Sequence, residues 1–328
     1  MNSRVLSGMR PTGRLHIGHL EGALSSWKEL QTRHECFYFI ADWHALTTNY
    51  ADPSQIKESI YEMVADWIAC GIDPEKSVIF QQSRVKEHSE LTLLLAMITP
   101  LSWLERVPSY KEMREALKDR DLSTYGFLGY PLLQTADIIM YKADYVPVGE
   151  DQVPHIELTR KIVRRFNNFY GETFPEPQPM LTKAPKILGT DGRKMSKSYE
   201  NAIFLSDTPE EITKKIMPMY TDPQRLRRTD PGNPDICGIY YLHKLYSAPG
   251  DIEMVNTECR RAGIGCVDCK KLLLPKLLEA LAPIREKREE LIRSKDYLED
   301  VIAEGTKRAA EVAGETMQEV RSKLGLTH

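Results

Sequence analysis

The stretch VLSGMRPTGRLHIGHLEGAL, residues 5–24, decides the fold class because it joins two different hydrophobic patterns. Its first part, VLSGM at 5–9, is a short apolar run that ends at a turn. Ile17, Leu20 and Leu24 then follow at the spacing of one helical face. The stretch therefore predicts a strand that leads directly into a helix.

The same alternation continues along the first 150 residues. CFYFIADW (36–43) and SVIFQQS (77–83) read as buried strands, and the segment 52–71 between them reads as a helix. Alternating strands and helices predict an α/β protein with a doubly wound, Rossmann-like parallel sheet. Such folds bind ligands at the carboxyl ends of their strands, which is where MRPTGRLHIGH lies. Beyond about residue 207 the chain reads as mostly α-helical.

Composition narrows the function further. A net charge of −3 does not favour nonspecific nucleic-acid binding, although basic clusters such as QRLRRTD (224–230) leave room for a small RNA-contacting patch. The longest apolar stretch, LTLLLAMI at 91–98, is too short to span a bilayer, and the first residues lack the apolar run of a signal peptide. We therefore expect a cytoplasmic protein with no membrane partner.

Two histidines flank a glycine at the start of the predicted helix, as His16, Gly18 and His19. The free N–H groups and the dipole at a helix start favour phosphate, and a glycine lets it approach the backbone. The imidazoles would add N–H donors for charge that develops on a transferred phosphoryl group. The alternative is that two ordinary histidines are exposed at a helix end.

A second motif, KMSKS at 194–198, lies in a polar loop with Gly189 and Gly192 as predicted hinges. Lys194 and Lys197 are three residues apart and could close on a triphosphate, neutralising the charge of departing pyrophosphate. Taken alone, the pentapeptide could equally be a solvated surface loop. The pairing of HIGH with KMSKS is far rarer than either motif.

Together the two motifs resemble those of the class I aminoacyl-tRNA synthetases. The resemblance implies that the amino-acid carboxylate attacks the α-phosphate of MgATP, that pyrophosphate leaves, and that the aminoacyl group then passes to the 3′ end of a tRNA. It implies transition-state roles for His16, His19, Lys194 and Lys197, and for Lys111 in PSYKEM, which could instead be an exposed helix lysine. The further positions that it implies for ATP binding are Arg10, Pro11, Thr12, Gly18, Gly149, Glu150, Asp151, Ile187, Met195, Ser196 and Ser198.

Tyr130, Gln134 and Asp137 are spaced to lie on one face of an otherwise apolar helix. Polar groups on a buried face are costly unless they find partners. Asp137 could accept a hydrogen bond from an indole N–H or a phenol O–H, while Tyr130 and Gln134 could hold the α-amino group. A surface-exposed stripe is the alternative.

The segments SGMRPTG (7–13), ADWHALTT (41–48) and VPVGEDQVPHIELTR (146–160) resemble tryptophanyl-tRNA synthetases. This resemblance adds Gly8, His44 and Gln152 to the amino-acid pocket and implies L-tryptophan and tRNA(Trp) as substrates. Gln134 departs from the methionine of many bacterial tryptophan enzymes, and Leu6 departs from a frequent phenylalanine. A tyrosyl enzyme, or a noncatalytic RNA-binding paralogue, remains the alternative.

Four of the six cysteines are close together in the sequence, as C-x21-C-x6-C-x2-C. They are Cys237, Cys259, Cys266 and Cys269, whereas Cys36 and Cys70 stand alone in apolar surroundings as expected core residues. Thiolates so clustered could hold a [4Fe–4S] cluster or Zn²⁺, or could be reduced thiols. GIGCVDCKKLLLPK is similar to a bacterial subset of tryptophanyl enzymes that carries [4Fe–4S] beside the anticodon-recognition region. Nearby basic residues then fit anticodon-stem contacts; they are Arg260, Arg261, Lys270 and Lys271.

The resemblance also divides the chain. It implies a catalytic domain at 1–205, with a helical dimerisation insertion at about 100–145 and the KMSKS loop at 189–201. It implies a helical anticodon-binding domain with the cysteines at 206–295, and a terminal helix at 296–328 that returns toward the catalytic domain. Members of this subclass are homodimers, so we expect a homodimer here.

Overall fold

A single five-stranded parallel sheet organises the first half of the chain in the computed structural model, which describes residues 3–108, 122–181 and 187–326. The strands are β1 (Arg4–Met9), β2 (Glu35–Ile40), β3 (Ser77–Gln81), β4 (Tyr145–Val148) and β5 (Gln178–Leu181). Their order is β3-β2-β1-β4-β5, and every pair is parallel. The prediction of a doubly wound α/β fold is confirmed.

The order of the strands reverses at the centre of the sheet. From β1 the chain moves outward to β2 and β3, then returns to β4 on the other side of β1. In such sheets the crevice beyond the carboxyl ends of the two central strands is where ligands bind. The segment after β1 and the turn after β4 therefore meet at the expected ligand crevice.

Each face of the sheet is covered by its own apolar cluster, as the alternation along β2 shows. Cys36, Tyr38 and Ile40 belong to one cluster, while Phe37 and Phe39 belong to the other. Successive strand side chains point to opposite faces, so a strand buried on both faces reads as one continuous apolar run. Cys70 also lies in the first cluster, so both isolated cysteines are core residues.

The helices between and after the strands cover both faces of the sheet. In the first half they are α1 (Ile17–His19), α2 (Ser25–Leu30), α3 (Asp42–Asn49), α4 (Ile56–Ala69), α5 (Glu87–Ala96), α6 (Leu101–Leu104), α7 (Tyr125–Leu128), α8 (Tyr130–Met140) and α9 (Val153–Tyr170). In the second half they are α10 (Pro209–Ile216), α11 (Gly238–Tyr246), α12 (Pro249–Arg260), α13 (Cys266–Arg293) and α14 (Lys295–Lys323). Within the described ranges, no helix is both long enough and apolar enough to cross a membrane.

The last two helices run back along the sheet domain. Helix α13 packs against α4, and α14 packs against β3, which is an edge strand. Gly305 makes the second contact possible, because a Cβ at this position would lie 1.8 Å from the carbonyl oxygen of Ile79. The helix thus covers an edge that would otherwise be open to pairing with another strand.

Candidate active site

The two histidines of HIGH support each other at the start of α1. The Gly18 N–H donates to His16 Nδ1 at 3.1 Å, and the His16 N–H donates to His19 Nδ1 at 3.2 Å. This is a reciprocal capping arrangement built from two imidazoles, whose ring centroids are 3.9 Å apart. A Cβ on Gly18 would lie 2.8 Å from the His16 ring, so any larger residue at this position would displace the imidazole.

Both imidazoles are neutral in this environment. Burial, together with the charge of Lys197, lowers the pKa of His16 to about 4. Burial also lowers the pKa of His19 well below its ordinary value, with the His16 and Lys197 charges acting in the same direction. Because Nδ1 of each ring accepts a backbone N–H, the ring proton lies on Nε2. The pair therefore offers two uncharged N–H donors.

The KMSKS segment reaches the loop that follows β1. Lys197 Nζ donates to the carbonyl oxygen of Gly13 at 2.8 Å and to that of Thr12 at 3.3 Å. Burial lowers the pKa of Lys197 to about 8, while the charge of Asp66 opposes that shift. Lys194 is exposed. Lys111 and the side chain of Ser198 lie outside the described residues.

Backbone pairing joins the two signature motifs. The Ile17 N–H donates to Ile203 O at 3.0 Å, and the Leu205 N–H donates to Leu15 O at 2.9 Å. His16 and Phe204 form the antiparallel bridge between these bonds. Residues far apart in the chain are thus brought together, with the segment after KMSKS lying directly against HIGH.

Asn201 organises the loop around KMSKS, a role that no motif indicated. Its side chain accepts from the Ser196 N–H at 2.8 Å and donates to Asp191 Oδ1 at 2.7 Å. A Cβ on Gly189 would lie 2.3 Å from the Asn201 amide, and Gly192 has a φ of +84°. Of the two glycines predicted as hinges, Gly189 allows the close approach of Asn201, and Gly192 adopts a left-handed backbone conformation. Met195 and Ile187 are buried beneath this loop, and the Met195 N–H donates to the carbonyl oxygen of Ile187 at 2.9 Å.

The remaining predicted ATP contacts lie at the ends of β1 and β4. Arg10 Nη2 donates to Thr48 Oγ1, Pro11 is buried and Thr12 is exposed. After β4, a Cβ on Gly149 would lie 2.6 Å from Asp151 Oδ1, so a larger residue here would require the Asp151 side chain to move. Glu150–Gln152 form a short 3-10 turn there, in which Gln152 Nε2 donates to Asp151 Oδ2 at 3.0 Å.

Asp137 is the centre of a fully buried polar network. His44 Nε2 lies 2.8 Å from its Oδ2, and His88 Nδ1 lies 2.7 Å from its Oδ1. Gln82 Nε2 donates to both oxygens, at 2.8 and 2.9 Å. Burial alone would raise the pKa of Asp137, but the bonds from His44 and His88 lower it to about 2. The carboxylate is ionised at neutral pH.

Sequence reasoning missed two of these three partners. Gln82 directly follows β3, and His88 is the second residue of α5, with its Nε2 2.7 Å from the hydroxyl of Tyr141. Polar side chains just after parallel strands meet at one edge of a sheet, and that rule could have found Gln82. Nothing in the sequence marks Tyr141 as a polar partner.

Tyr130 and Gln134 lie on α8 with Asp137, as their spacing predicts. Tyr130 is buried, and its hydroxyl lies 3.5 Å from Nε2 of His155, whose pKa burial lowers to about 4. Gln134 is half-buried. Gly8, on β1, faces the Phe39 ring so closely that a Cβ would lie 2.4 Å away. His155 is a further polar residue that sequence reasoning did not identify.

The four clustered cysteines come together where α11, α12 and α13 meet. Cys237 precedes α11, Cys259 is near the end of α12, and Cys266 and Cys269 are in the first turn of α13. Burial, together with charge repulsion from the other three thiols, raises the pKa of Cys269 to about 12. Within the described part of the chain, however, no three His, Cys, Asp or Glu side chains form a group that could hold a metal ion.

The basic residues beside the cysteines differ in whether their charged groups are exposed and could contact RNA. Arg260 pairs with Asp235, and Arg261 pairs with Glu258, both at the surface. Lys270 is buried, and its Nζ donates to the carbonyl oxygens of Met217 and Met219 at 2.8 and 2.6 Å. The prediction that Lys270 contacts a tRNA stem is therefore wrong, because its ammonium group is used inside the protein.

Comparison with known proteins gives one consistent family. Residues 1–282 match the family of class I tRNA synthetases for tryptophan and tyrosine. The chain is similar to the tryptophan–tRNA ligase of Thermotoga maritima, with 57% identity over 98% of this chain and 99% of that protein. The Aquifex aeolicus tryptophan–tRNA ligase is 46% identical over 98% of this chain and 100% of its own. Tryptophanyl-tRNA synthetase from Campylobacter jejuni, solved with ADP and tryptophan, is 34% identical, with a TM-score of 0.89 over 98% of this chain and 100% of its own.

Proposed function

The chain belongs to the class I tRNA synthetases for tryptophan and tyrosine, and from this premise we propose that it is a tryptophan–tRNA ligase. It activates L-tryptophan with MgATP and transfers the tryptophanyl group to the 3′ end of tRNA(Trp), in the cytoplasm. The observation that carries the proposal is the meeting of HIGH and KMSKS at the sheet's switch point, beside a buried carboxylate. The choice of tryptophan is supported by relatives of that activity that match nearly the whole chain.

In the activation step, a carboxylate oxygen of tryptophan attacks the α-phosphorus as the bond to the β-phosphate oxygen breaks, releasing pyrophosphate. The Nε2–H groups of His16 and His19 are uncharged donors that can follow negative charge as it grows on the phosphates. The cation of Lys197, already beside the loop after β1, can stabilise the departing pyrophosphate. Lys194, which is exposed, is free to turn toward the same phosphates once ATP is bound.

The amino-acid pocket would use Asp137 as the acceptor for the indole N–H. In the structure, the side-chain amide of Gln82 donates to both carboxylate oxygens. We propose that the indole N–H takes the position on Oδ2 while Gln82 remains on Oδ1. A pocket built to accept an indole N–H rejects phenylalanine, because phenylalanine has no donor to take the place of Gln82 on Oδ2.

Amino-acid-dependent ATP–pyrophosphate exchange tests the reaction and the substrate together, with tryptophan and tyrosine compared in the absence of tRNA. We expect exchange with tryptophan only. In Asp137→Asn, kcat/KM for tryptophan should fall by about 100-fold, because hydrogen bonds to an ionised group contribute about 1.5–3 kcal/mol each. The KM for ATP should stay near its original value. Exchange with tyrosine would contradict the substrate, and no exchange by folded protein would favour the noncatalytic paralogue.

We further propose that Cys237, Cys259, Cys266 and Cys269 hold a [4Fe–4S] cluster with a structural role. The position of all four cysteines at the junction of α11, α12 and α13 supports this proposal, although their described side chains do not themselves form a metal-holding group. Arg225 supports it as well, since its Nη1 lies 3.9 Å from Sγ of both Cys259 and Cys266 and could donate to thiolate sulfur. When bound, the cluster would tie together the helical segments from which the four cysteines project.

Anaerobic purification followed by iron, sulfide and zinc analysis tests the cluster. We expect about four irons and four sulfides per chain, and their loss in Cys269→Ser. Cys70→Ser is the matched control, because Cys70 is an equally buried thiol outside the group. One zinc per chain would contradict the iron–sulfur cluster and indicate a Zn²⁺ site. The absence of any metal would indicate that the four cysteines are reduced thiols.

We also propose a division of the chain into domains. A catalytic domain at 1–205 would carry HIGH, the tryptophan pocket and KMSKS, and a helical anticodon-binding domain would occupy 206–295. The terminal helix at 296–328 would pack on the catalytic side, which the contact of α14 with β3 supports. A homodimer is proposed through the first domain, where Leu93, Met97 and Leu101 expose large apolar side chains.

A further inference from the structure

A buried ion pair links the second half of the chain to the catalytic domain. Asp66 on α4 is 1% exposed, and its Oδ1 accepts from Arg288 Nε on α13 at 2.7 Å. The same guanidinium donates through Nη2 to Glu62, one turn earlier on α4. Arg288 therefore binds two carboxylates of one helix from the helix packed against it.

The other oxygen of Asp66 reaches the HIGH segment. The Leu15 N–H donates to Asp66 Oδ2 at 3.2 Å, and Leu15 itself is buried. A buried backbone N–H needs a partner, and this one lies before α1 begins, where no helical carbonyl is available. Leu15 directly precedes His16, so the carboxylate holds the backbone from which the first catalytic imidazole projects.

The carboxylate depends on Arg288 for its charge. Burial raises the pKa of Asp66 to about 6, while Arg288 and the Leu15 N–H act against that rise. A buried carboxylate without a cation is strongly unfavourable and would become protonated or hydrated. In either case the bond to Leu15 would lose its ionic acceptor, and the HIGH segment would lose one of its attachments.

We propose that Arg288 is a positioning residue for adenylate formation, acting through Asp66 on Leu15 and so on the placement of His16. This inference rests on the proposed function, since it concerns the same phosphate site. It makes the second half of the chain part of the support of HIGH, although Arg288 itself touches no reacting atom. The tryptophan pocket around Asp137 uses other residues, so its affinity should not depend on this pair.

Arg288→Gln tests the inference in steady-state ATP–pyrophosphate exchange with tryptophan. We expect kcat to fall by about 10- to 100-fold, because small displacements of catalytic groups have effects of this size. The KM for tryptophan should change by no more than about twofold, since uniform binding is left intact. Arg288→Lys should recover part of the loss, because an ammonium group can still neutralise Asp66.

Arg321→Gln is the matched control. Arg321 also joins a C-terminal helix to the catalytic domain, through a two-bond ion pair with Glu90 on α5, but it does not touch HIGH. Its kcat should remain that of the original enzyme. Thermal unfolding of both variants separates positioning from a general loss of stability. In the double variant Asp66→Asn/Arg288→Gln, the loss in kcat should be smaller than the product of the two single losses.

The results separate this inference from the function itself. If the original enzyme shows no tryptophan-dependent exchange, the proposed function fails first. If it does, and folded Arg288→Gln keeps its kcat, the positioning role alone is overturned. A kcat loss equal to that of Arg321→Gln, or one matched by an equal rise in the KM for tryptophan, would also overturn it.

Discussion

His16 and His19 combine a structural and a chemical role in the same atoms. Each uses Nδ1 to accept a backbone N–H at the helix start, which leaves Nε2–H to face a ligand. Leucine or glutamate in these places would favour helix stability but would offer no such donor. The neutrality of the rings also keeps two positive charges out of a pocket that already holds Lys197.

Lys197 should set the alkaline limit of ATP use. Its pKa is lowered from the ordinary 10.5 to about 8, so the ammonium group is present below that pH and is lost above it. Because kcat/KM reports the free enzyme, kcat/KM for ATP should decrease as pH rises through about 8. In Lys197→Arg the guanidinium stays protonated, so the decrease should move beyond the accessible range. Pyrophosphate exchange measured from pH 6 to 10 checks this.

Lys215→Arg serves as the control for that profile. Lys215 is also partly buried, but it is paired with Asp207 and lies outside the proposed phosphate site. Its alkaline limb should match that of the original enzyme. An unchanged limb in Lys197→Arg would assign the decrease to another group.

Single residues were predictable where their chemistry is tied to a motif or a helical face. Asp137 could be found because an acid on an apolar helix needs partners. Its partner Gln82 could be found only from its place directly after β3, and nothing in the spacing indicated His88. For Lys270 the sequence predicted a site residue that the structure does not support. A basic residue beside other basic residues is expected to be exposed, and only its contacts show that Lys270 is buried. Its ammonium group is held by two main-chain carbonyls.

At the scale of elements, the segment after HIGH departs from a regular helix. Leu20–Leu24 form a π-helical turn between α1 and α2. Leu, Glu and Ala favour the ordinary α-helix while Gly22 weakens it, but these preferences do not distinguish a π-helical turn from an α-helical one. Such turns occur often at functional sites, and this one directly follows His19.

The contact of α14 with β3 leads us to expect opposite effects from alanine at two glycines of α14, Gly305 and Gly314. In Gly305→Ala the new Cβ would meet the Ile79 carbonyl at 1.8 Å, and a backbone cannot move aside as a side chain can. We expect the free energy of unfolding to decrease by about 1–3 kcal/mol. Gly314→Ala has nothing within 4 Å of its new Cβ. It should raise that free energy by about 0.5–1 kcal/mol through helix propensity.

Chemical denaturation of the two variants measures both effects under the same conditions. Opposite signs would establish that close packing, and not glycine's flexibility, explains Gly305. A stabilised Gly305→Ala would mean that α14 does not lie on the edge strand in solution.

At the scale of the whole molecule, the long helix α13 runs from the four cysteines to helix α4, beside the parallel sheet. Its first turn carries Cys266 and Cys269, and Arg288 lies 22 positions after Cys266. At about 1.5 Å per residue, the two ends of this span are about 33 Å apart. The sequence predicted the helical character of this half, but not that one of its arginines would support HIGH. That contact joins residues 222 positions apart in the chain.

The exposed apolar residues of the first half lead to a prediction about assembly. Leu93 and Met97 are one helical turn apart, with Met97 72% exposed, and Leu101 follows on α6. Neighbouring large apolar side chains on a surface mark protein–protein contacts more often than isolated ones do. We expect the chain to sediment at twice the mass of one chain.

Met97→Asp/Leu101→Asp should convert that dimer to a monomer at micromolar concentration. Two carboxylates in a desolvated interface would weaken association by at least about 100-fold, because buried charges without partners cost several kcal/mol. Leu226→Asp is the control, since Leu226 is 86% exposed but lies in the second half of the chain. Sedimentation equilibrium distinguishes the species. A double variant that remains dimeric would place the interface elsewhere, and a monomeric original chain would contradict the dimer itself.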